Sequence, residues 1–194
     1  MSDLASFGRA IAAPLAGARR GDAAAFAELV RVIRPLIFRW ACVDSGDPDD
    51  AEDVTQEVLV RVYRGLHTYR EGSSFTTWLF QIVRNVGLDR TRKLGRRRRL
   101  WEANGPSSGE GTDDGVEEAL LREELSGIVR SFMSSLAQRQ RQALDLVDMQ
   151  GHSPAEAAEM LGLDPATVRT HLHRARRRLR TLILTHLPEV AQEA

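Results

Sequence analysis

Only one of the 194 residues is cysteine, only one of the 27 basic residues is lysine, aromatics make up 6%, and the net charge is zero. A single cysteine, Cys42, excludes an internal disulfide. With no CxxC pair or Cys/His cluster there is no structural zinc site, which suits a reducing, cytoplasmic setting. So few aromatics leave Leu, Val, Ile and Ala to build the core, a composition of helical bundles that argues against an all-β fold. No apolar run approaches the ~20 residues needed to span a bilayer. Asp3, Arg9, Arg19 and Arg20 interrupt the alanines of the first thirty residues, so neither a signal peptide nor membrane insertion is expected. Gly-rich phosphate loops, nucleophile elbows and acid pairs in apolar settings are missing too, so the chain reads as no enzyme, with no cofactor and no metal. His152, His171, His173 and His186 lack carboxylate or cysteine at ligand spacing and are expected at the surface, whereas Cys42, ending an apolar stripe, is expected in the core.

What is present is charge, segregated by sign. Residues 44–57 hold seven acids and no base. From Arg84 to Arg99 eight bases face Asp89 alone, and residues 102–124 hold eight acids against Arg122. From Pro165 to Leu182 there are six arginines and no acid. The preference for Arg suits bidentate phosphate and base contacts and equally fits a GC-rich genome.

Between Leu100 and Val116 hydrophobic periodicity stops and Asn104 through Gly115 supply turn formers and acids, the composition of a linker. The chain is therefore expected to be all-α, with two small helical domains over residues 15–94 and 117–186 and an acidic linker over 95–116. Phe26, Leu29, Val30, Ile33, Ile37 and Trp40 form one helical face, and Val54, Val58, Val62 and Leu66 form a second, with Leu59 and Tyr63 alongside. The acids at Asp49 to Asp53 fall at the N-terminal end of that second helix, where the dipole favours them. Phe75, Trp78, Leu79, Ile82, Val83 and Val86 make a third stripe that runs into the basic block. After the linker, Leu120, Leu121, Leu125, Ile128, Val129 and Phe132 form one stripe, and Ala143, Leu144, Leu146 and Val147 a second, ended by Gly151.

Ser153-Pro154 and Asp164-Pro165 each spell a helix start, with the cap followed by proline at the first helical position. Ala158 is small where two helices approach, Gly162 permits a tight turn, and Val168 is apolar on the second helix, which together fit a helix-turn-helix. The opposite face carries Thr167, Arg169, Thr170, His173, Arg174 and Arg177, residue types that read base edges and phosphates in a major groove. On the third helix of the first domain, Arg84, Asn85, Asp89 and Arg92 share a face, with Lys93 beside it. By residue chemistry alone that face fits nucleic-acid contact and a solvated, ion-paired surface equally well.

The runs Asp50-Ala51-Glu52-Asp53-Val54-Thr55-Gln56-Glu57 and Phe75-Thr76-Thr77-Trp78-Leu79-Phe80-Gln81-Ile82-Val83-Arg84-Asn85 resemble region two of bacterial RNA polymerase sigma factors. Gly151-His152-Ser153-Pro154-Ala155-Glu156-Ala157-Ala158 and Thr167-Val168-Arg169-Thr170-His171-Leu172-His173-Arg174 resemble region four. With nothing long before or between them, the chain is similar to the extracytoplasmic-function subfamily. That resemblance implies docking of Asp53, Gln56 and Glu57, with Asp49, Asp50 and Glu52 near the contact, on the β′ clamp helices of core polymerase, with the β flap as a further contact. It implies capture of a flipped minus-ten base by the loop from His67 to Ser74, and tracking of the melted strand by Arg84, Asn85, Asp89, Arg92 and Lys93. Reading of minus-thirty-five duplex is implied for Thr167, Arg169, Thr170, His173, Arg174 and Arg177. Promoter DNA and an anti-sigma factor complete the implied partners. Phe75 and Trp78, although able to stack on bases, share helical spacing with Ile82 and are expected in the core.

Ala166 and the pair Thr170-His171 depart from the family's usual Gly and Ser-Arg. Losing an arginine at 171 removes a permanent charge. The run Thr167 to Leu172 also resembles LuxR-type response regulators, which leaves a free-standing helix-turn-helix repressor or activator as the alternative function. The 22 residues from Gly95 to Val116 have a contour near 70 Å at ~3.3 Å each and a relaxed span of roughly 25 Å.

Overall fold

The computed structural model describes residues 2–69, 74–102, 133 and 135–186, and every element among them is helical. The first half consists of α1 (Ser2–Arg19), α2 (Ala23–Ser45), α3 (Pro48–Gly65) with a single 3-10 turn at Leu66–Thr68, and α4 (Phe75–Glu102). The second half consists of α5 (Gln138–Leu144), which widens into a π turn over Asp145–Met149, then α6 (Pro154–Leu161) and α7 (Pro165–His186).

Local chemistry sets the boundaries. Asp22 accepts from the backbone N–H groups of Ala24 (2.8 Å) and Ala25 (3.1 Å) at the start of α2, satisfying donors that a helix end leaves unpaired. Asp47 does the same for Asp50 (2.9 Å) at the start of α3, with Pro48 in the first turn. The apolar stripes then meet. Leu29, Ile33 and Ile37 of α2 pack against Val58 and Val62 of α3 and Leu79 of α4, all with no measurable exposure, each contributing about 1.5–3 kcal/mol of burial. The stripes of the first half thus fall where the sequence puts them, with one exception: Tyr63 is exposed, its ring edge-on to Phe26 at 5.0 Å. Phe75 is buried and Trp78 half-buried in an aromatic cluster with Tyr69, a core role rather than an open stacking platform. Cys42 is half-buried against the same core.

Helix α1 has no counterpart among the sequence expectations. It lies on α2 through Ile11 and Leu15, and its approach is so close that a Cβ on Gly17 would fall 2.5 Å from that of Ala25. Helix α4 also exceeds expectation, continuing to Glu102 past residue 95, where the sequence suggests that the linker begins. Arginines are good helix formers, so the basic run extends the helix instead of ending it. The stripe from Leu120 to Phe132 lies outside the described residues.

The second half has its own small core of Leu136, Leu144, Leu172 and Ala175. It is joined to the first half along a seam between α2 and α5. Asp145 Oδ1 accepts from Arg39 Nε (2.8 Å) and Nη2 (2.7 Å), while its other oxygen accepts from Gln150. Gln150 in turn accepts from Trp40 Nε1 at 3.2 Å. Asp44 accepts from Gln138 and Gln142, and Arg141 donates to the carbonyls of Val43 (2.9 Å) and Asp44 (3.2 Å) at the C-terminal end of α2.

His152 departs from its expected surface position. It is 6% exposed, because the backbone folds back after the π turn and its N–H donates to the Leu146 carbonyl (3.0 Å). Burial lowers the pKa of its imidazole, against the opposing pull of Glu156 and Asp145.

Candidate nucleic-acid interface

Helices α6 and α7 form the helix-turn-helix. Ser153 Oγ accepts from the Glu156 N–H (3.2 Å), and Glu156 accepts in return from the Ser153 N–H (2.8 Å), a complete capping box. Gly162 ends α6 in the left-handed region, φ +63°, which an L side chain enters only with strain. Asp164 then caps α7, accepting from the N–H groups of Ala166 (2.9 Å) and Thr167 (3.0 Å) and from the Thr167 hydroxyl. Those bonds hold the Asp164 carboxyl below its ordinary pKa, the Thr167 hydroxyl first among the causes.

One face of α7 is thereby fixed to the core through Val168, Leu172 and Ala175, and the other is turned outward. Arg169, Thr170, His173, Arg174 and Arg177 are all exposed on it. Thr167 differs from the rest of this set, since its hydroxyl is committed to the cap. The Thr170 hydroxyl donates back to the Ala166 carbonyl (2.9 Å), leaving its lone pairs and methyl free to face a ligand. Arg176 is not part of the face. It forks onto Asp148, with Nε at 2.9 Å from Oδ2, and fastens α7 to the π turn. His171 is half-buried rather than open, and its Nδ1 has no partner.

On α4, Asn85 and Arg92 are exposed and Asp89 is half-exposed, with Arg92 Nη1 4.0 Å from Asp89. Arg84 stands apart from them. Its guanidinium reaches the second half, 3.2 Å from where a Cβ on Gly162 would lie, and its Nε is buried without a partner. It lines a cleft with Trp40, Asp44, Gln142 and Asp145 at the seam. Burial, then the nearby Arg84 charge, lowers the pKa of Arg139. The Lys93 side chain lies outside the described set.

The acidic start of α3 is not a bare negative surface. Arg90 Nη2 of α4 sits 2.7 Å from Asp50 and 2.8 Å from Asp53, and its pKa is raised, with the Asp53 bond as the leading cause. Arg61 Nη2 bridges Glu57 (2.6 Å) and Asp89 (3.2 Å). Arg34 Nη2 of α2 holds Glu52 (2.7 and 2.9 Å). Asp49 and Gln56 are exposed. Sequence reasoning missed all three arginines. The Glu57 to Arg61 spacing of four was legible, but the cross-helix bridges depend on how α3 lies against α2 and α4.

Comparison with known proteins agrees with this geometry. Residues 29–97 match sigma-70 region 2, and residues 126–179 match sigma-70 region 4. The chain is 35% identical over 177 residues to the ECF RNA polymerase sigma factor SigE of Mycolicibacterium smegmatis, covering 90% of this chain and 68% of that protein. It is 30% identical to SigW of Bacillus subtilis, over 84% of this chain and 90% of SigW. Among solved structures it superposes on the sigma factor RpoE of Bartonella quintana in complex with the anti-sigma factor NepR. That match has a TM-score of 0.66 at 26% identity and covers 83% of this chain and 98% of RpoE. A free-standing helix-turn-helix regulator leaves the region 2 match unexplained. With both regions present in order, and relatives of this identity along nearly the whole chain, this protein belongs to the extracytoplasmic-function family of RNA polymerase sigma factors.

Proposed function

We propose that this sigma factor docks on core RNA polymerase through the acidic start of α3, captures the melted minus-ten strand along α4, and reads the minus-thirty-five duplex with α7. The observation that carries the reading is the outward face of α7, where three exposed arginines and His173 back onto a buried stripe in a capped helix-turn-helix. Arg forks suit guanine edges and phosphates, and such a face presented by the second helix of this motif fits a major groove. Asp49, Asp50, Glu52, Asp53, Gln56 and Glu57 supply the polymerase contact. Asn85, Asp89, Arg92 and Lys93 supply the strand contact, which Arg84 joins once it leaves the seam. The linker begins beyond Glu102. The chain performs no chemistry of its own in this scheme, since phosphodiester synthesis belongs to the polymerase.

Control by an anti-sigma factor is part of the proposal, supported by the likeness to RpoE held by NepR. Work in the cytoplasm follows from the partners. Among the described residues no helix is long and apolar enough to cross a membrane.

Run-off transcription tests the reading. Purified core polymerase on fragmented genomic DNA of the source organism should start new RNAs when this protein is added, and the starts should share a two-part upstream motif. No new starts, together with tight duplex binding by the isolated protein, would return the repressor or activator reading. Charge reversal at Asp53 and Glu57 to Lys should abolish core binding, and unchanged affinity would remove the docking assignment.

A further inference from the structure

We infer that Arg19, at the C-terminal end of α1, is a positioning residue for the captured minus-ten base: its guanidinium holds the ring of Tyr69, in the loop that takes the base. The inference rests on the strand-capture reading above, with the flipped base taken by the loop from His67 to Ser74.

Among the described residues, both ends of that loop are fixed, each by its own chemistry. At the far end the Thr77 N–H donates to Ser74 Oγ (3.1 Å) and the two hydroxyls lie 2.8 Å apart, which caps the start of α4. At the near end Tyr69 is buried. Its ring lies edge-on to Phe75 at 5.5 Å and tilted against Trp78 at 5.4 Å, so one aromatic cluster ties the start of the loop to the helix that follows it.

A further contact on that ring comes from outside the α3–α4 pair. The Arg19 guanidinium stands 5.7 Å from the centroid of the Tyr69 ring, within the range at which a cation is drawn to an aromatic face. Gly17 brings α1 to this place. A Cβ there would fall 2.5 Å from that of Ala25, so glycine alone lets α1 lie so close on α2, and Arg19 follows two positions later. The cation contributes orientation. It holds the Tyr69 ring, and with it the start of the loop, in one setting before DNA arrives, and a site set in advance binds without the cost of ordering it. The strand itself is tracked from Asn85 onward, about 15 Å along α4 from Phe75. Loss of Arg19 is therefore felt by the captured base and not by the rest of the strand.

Holoenzyme binding to fluorescent single-stranded oligonucleotides carrying the minus-ten motif found by run-off tests this role. One oligonucleotide is intact and each of the others lacks one base. With wild type, the abasic site that costs most affinity marks the captured base. Arg19→Gln should bind the intact oligonucleotide about two- to five-fold more weakly, the worth of an exposed cation–π contact. It should bind the oligonucleotide lacking that base as wild type does. Arg19→Lys, which keeps a cation, should recover most of the loss. Thermal melting of each full-length variant checks that it folds. An equal loss on intact and abasic oligonucleotides would make Arg19 a phosphate contact or a general support of the fold. That result, no loss on either, or a lysine variant no better than glutamine overturns the positioning role and leaves the capture reading standing. If no abasic site weakens wild-type binding, no base is captured, and the capture reading falls with the inference built on it.

Discussion

Asp145 is 1% exposed at a seam that joins residues more than 100 positions apart in sequence. Burial raises its carboxyl pKa, and the Arg39 fork and Gln150 offset only part of that rise. The folded chain therefore holds this proton more tightly than the unfolded chain does. The contribution of Asp145 is most favourable below the ordinary carboxylate value and is lost as pH rises through the folded value. Asp145→Asn removes the titration, so the variant should gain stability relative to wild type between pH 4 and pH 7 in urea unfolding. A variant that loses ground over that interval would contradict the sign. Nothing in the sequence marks this residue, because aspartates at helix ends are ordinarily solvated and only the partner on α2 makes it a buried one. His152 was misread for the same reason, whereas Arg169, His173 and Arg174 were legible, since a helical face opposite a buried stripe is set by local periodicity.

Helix α6 spans only eight residues, too few to stand without its caps and its packing. Its Ser153 cap was readable from the Ser-Pro start, and the structure adds Glu156 as the other half of the box. Ser153→Ala should cost about 0.5–2 kcal/mol of unfolding free energy in urea denaturation, and no loss would show the cap to be redundant with core contacts. The box also has an acid limit. The Ser153 backbone N–H, then its hydroxyl, hold the Glu156 carboxyl below its ordinary pKa. The support it gives is present above that ordinary value and fades as pH falls through the lowered one. Other elements were harder to read. The π turn at Asp145–Met149 leaves no mark in an apolar pattern that simply reads as helix. Helix α1 is alanine-rich, with few large apolar residues to reveal a stripe, and its reality depends on α2 beneath it.

For the molecule as a whole, the order of the halves was legible and their contact was not. The proposed reading of two promoter elements about two DNA turns apart requires the halves to stand roughly 70 Å from each other. Here the Arg84 side chain touches the turn of the helix-turn-helix. On the proposed function the packed arrangement is a resting form, and promoter reading requires the seam to part. Arg39→Ala combined with Arg141→Ala removes four hydrogen bonds that cross the seam. Small-angle scattering should then give a larger radius of gyration than wild type with unchanged helical content by circular dichroism. An identical radius would mean that the remaining contacts, the Asp44 bonds to Gln138 and Gln142, the Trp40–Gln150 bond and the apolar packing, suffice to close the seam. Such pairings escape sequence reasoning because each joins residues separated by a linker whose path no local rule fixes.

The contact between Gly162 and Arg84 also constrains how the gene can drift. Glycine codons ending in T or C reach alanine, valine, arginine, serine, cysteine or aspartate by single base changes, and each adds a Cβ where the φ of +63° admits one only with strain. Aspartate tolerates that backbone best, yet it would set a carboxylate beside the Arg84 guanidinium and weld the resting form shut. From such a codon the mildest change for folding is the harshest for the proposed release, so selection there would answer to the seam as much as to the turn.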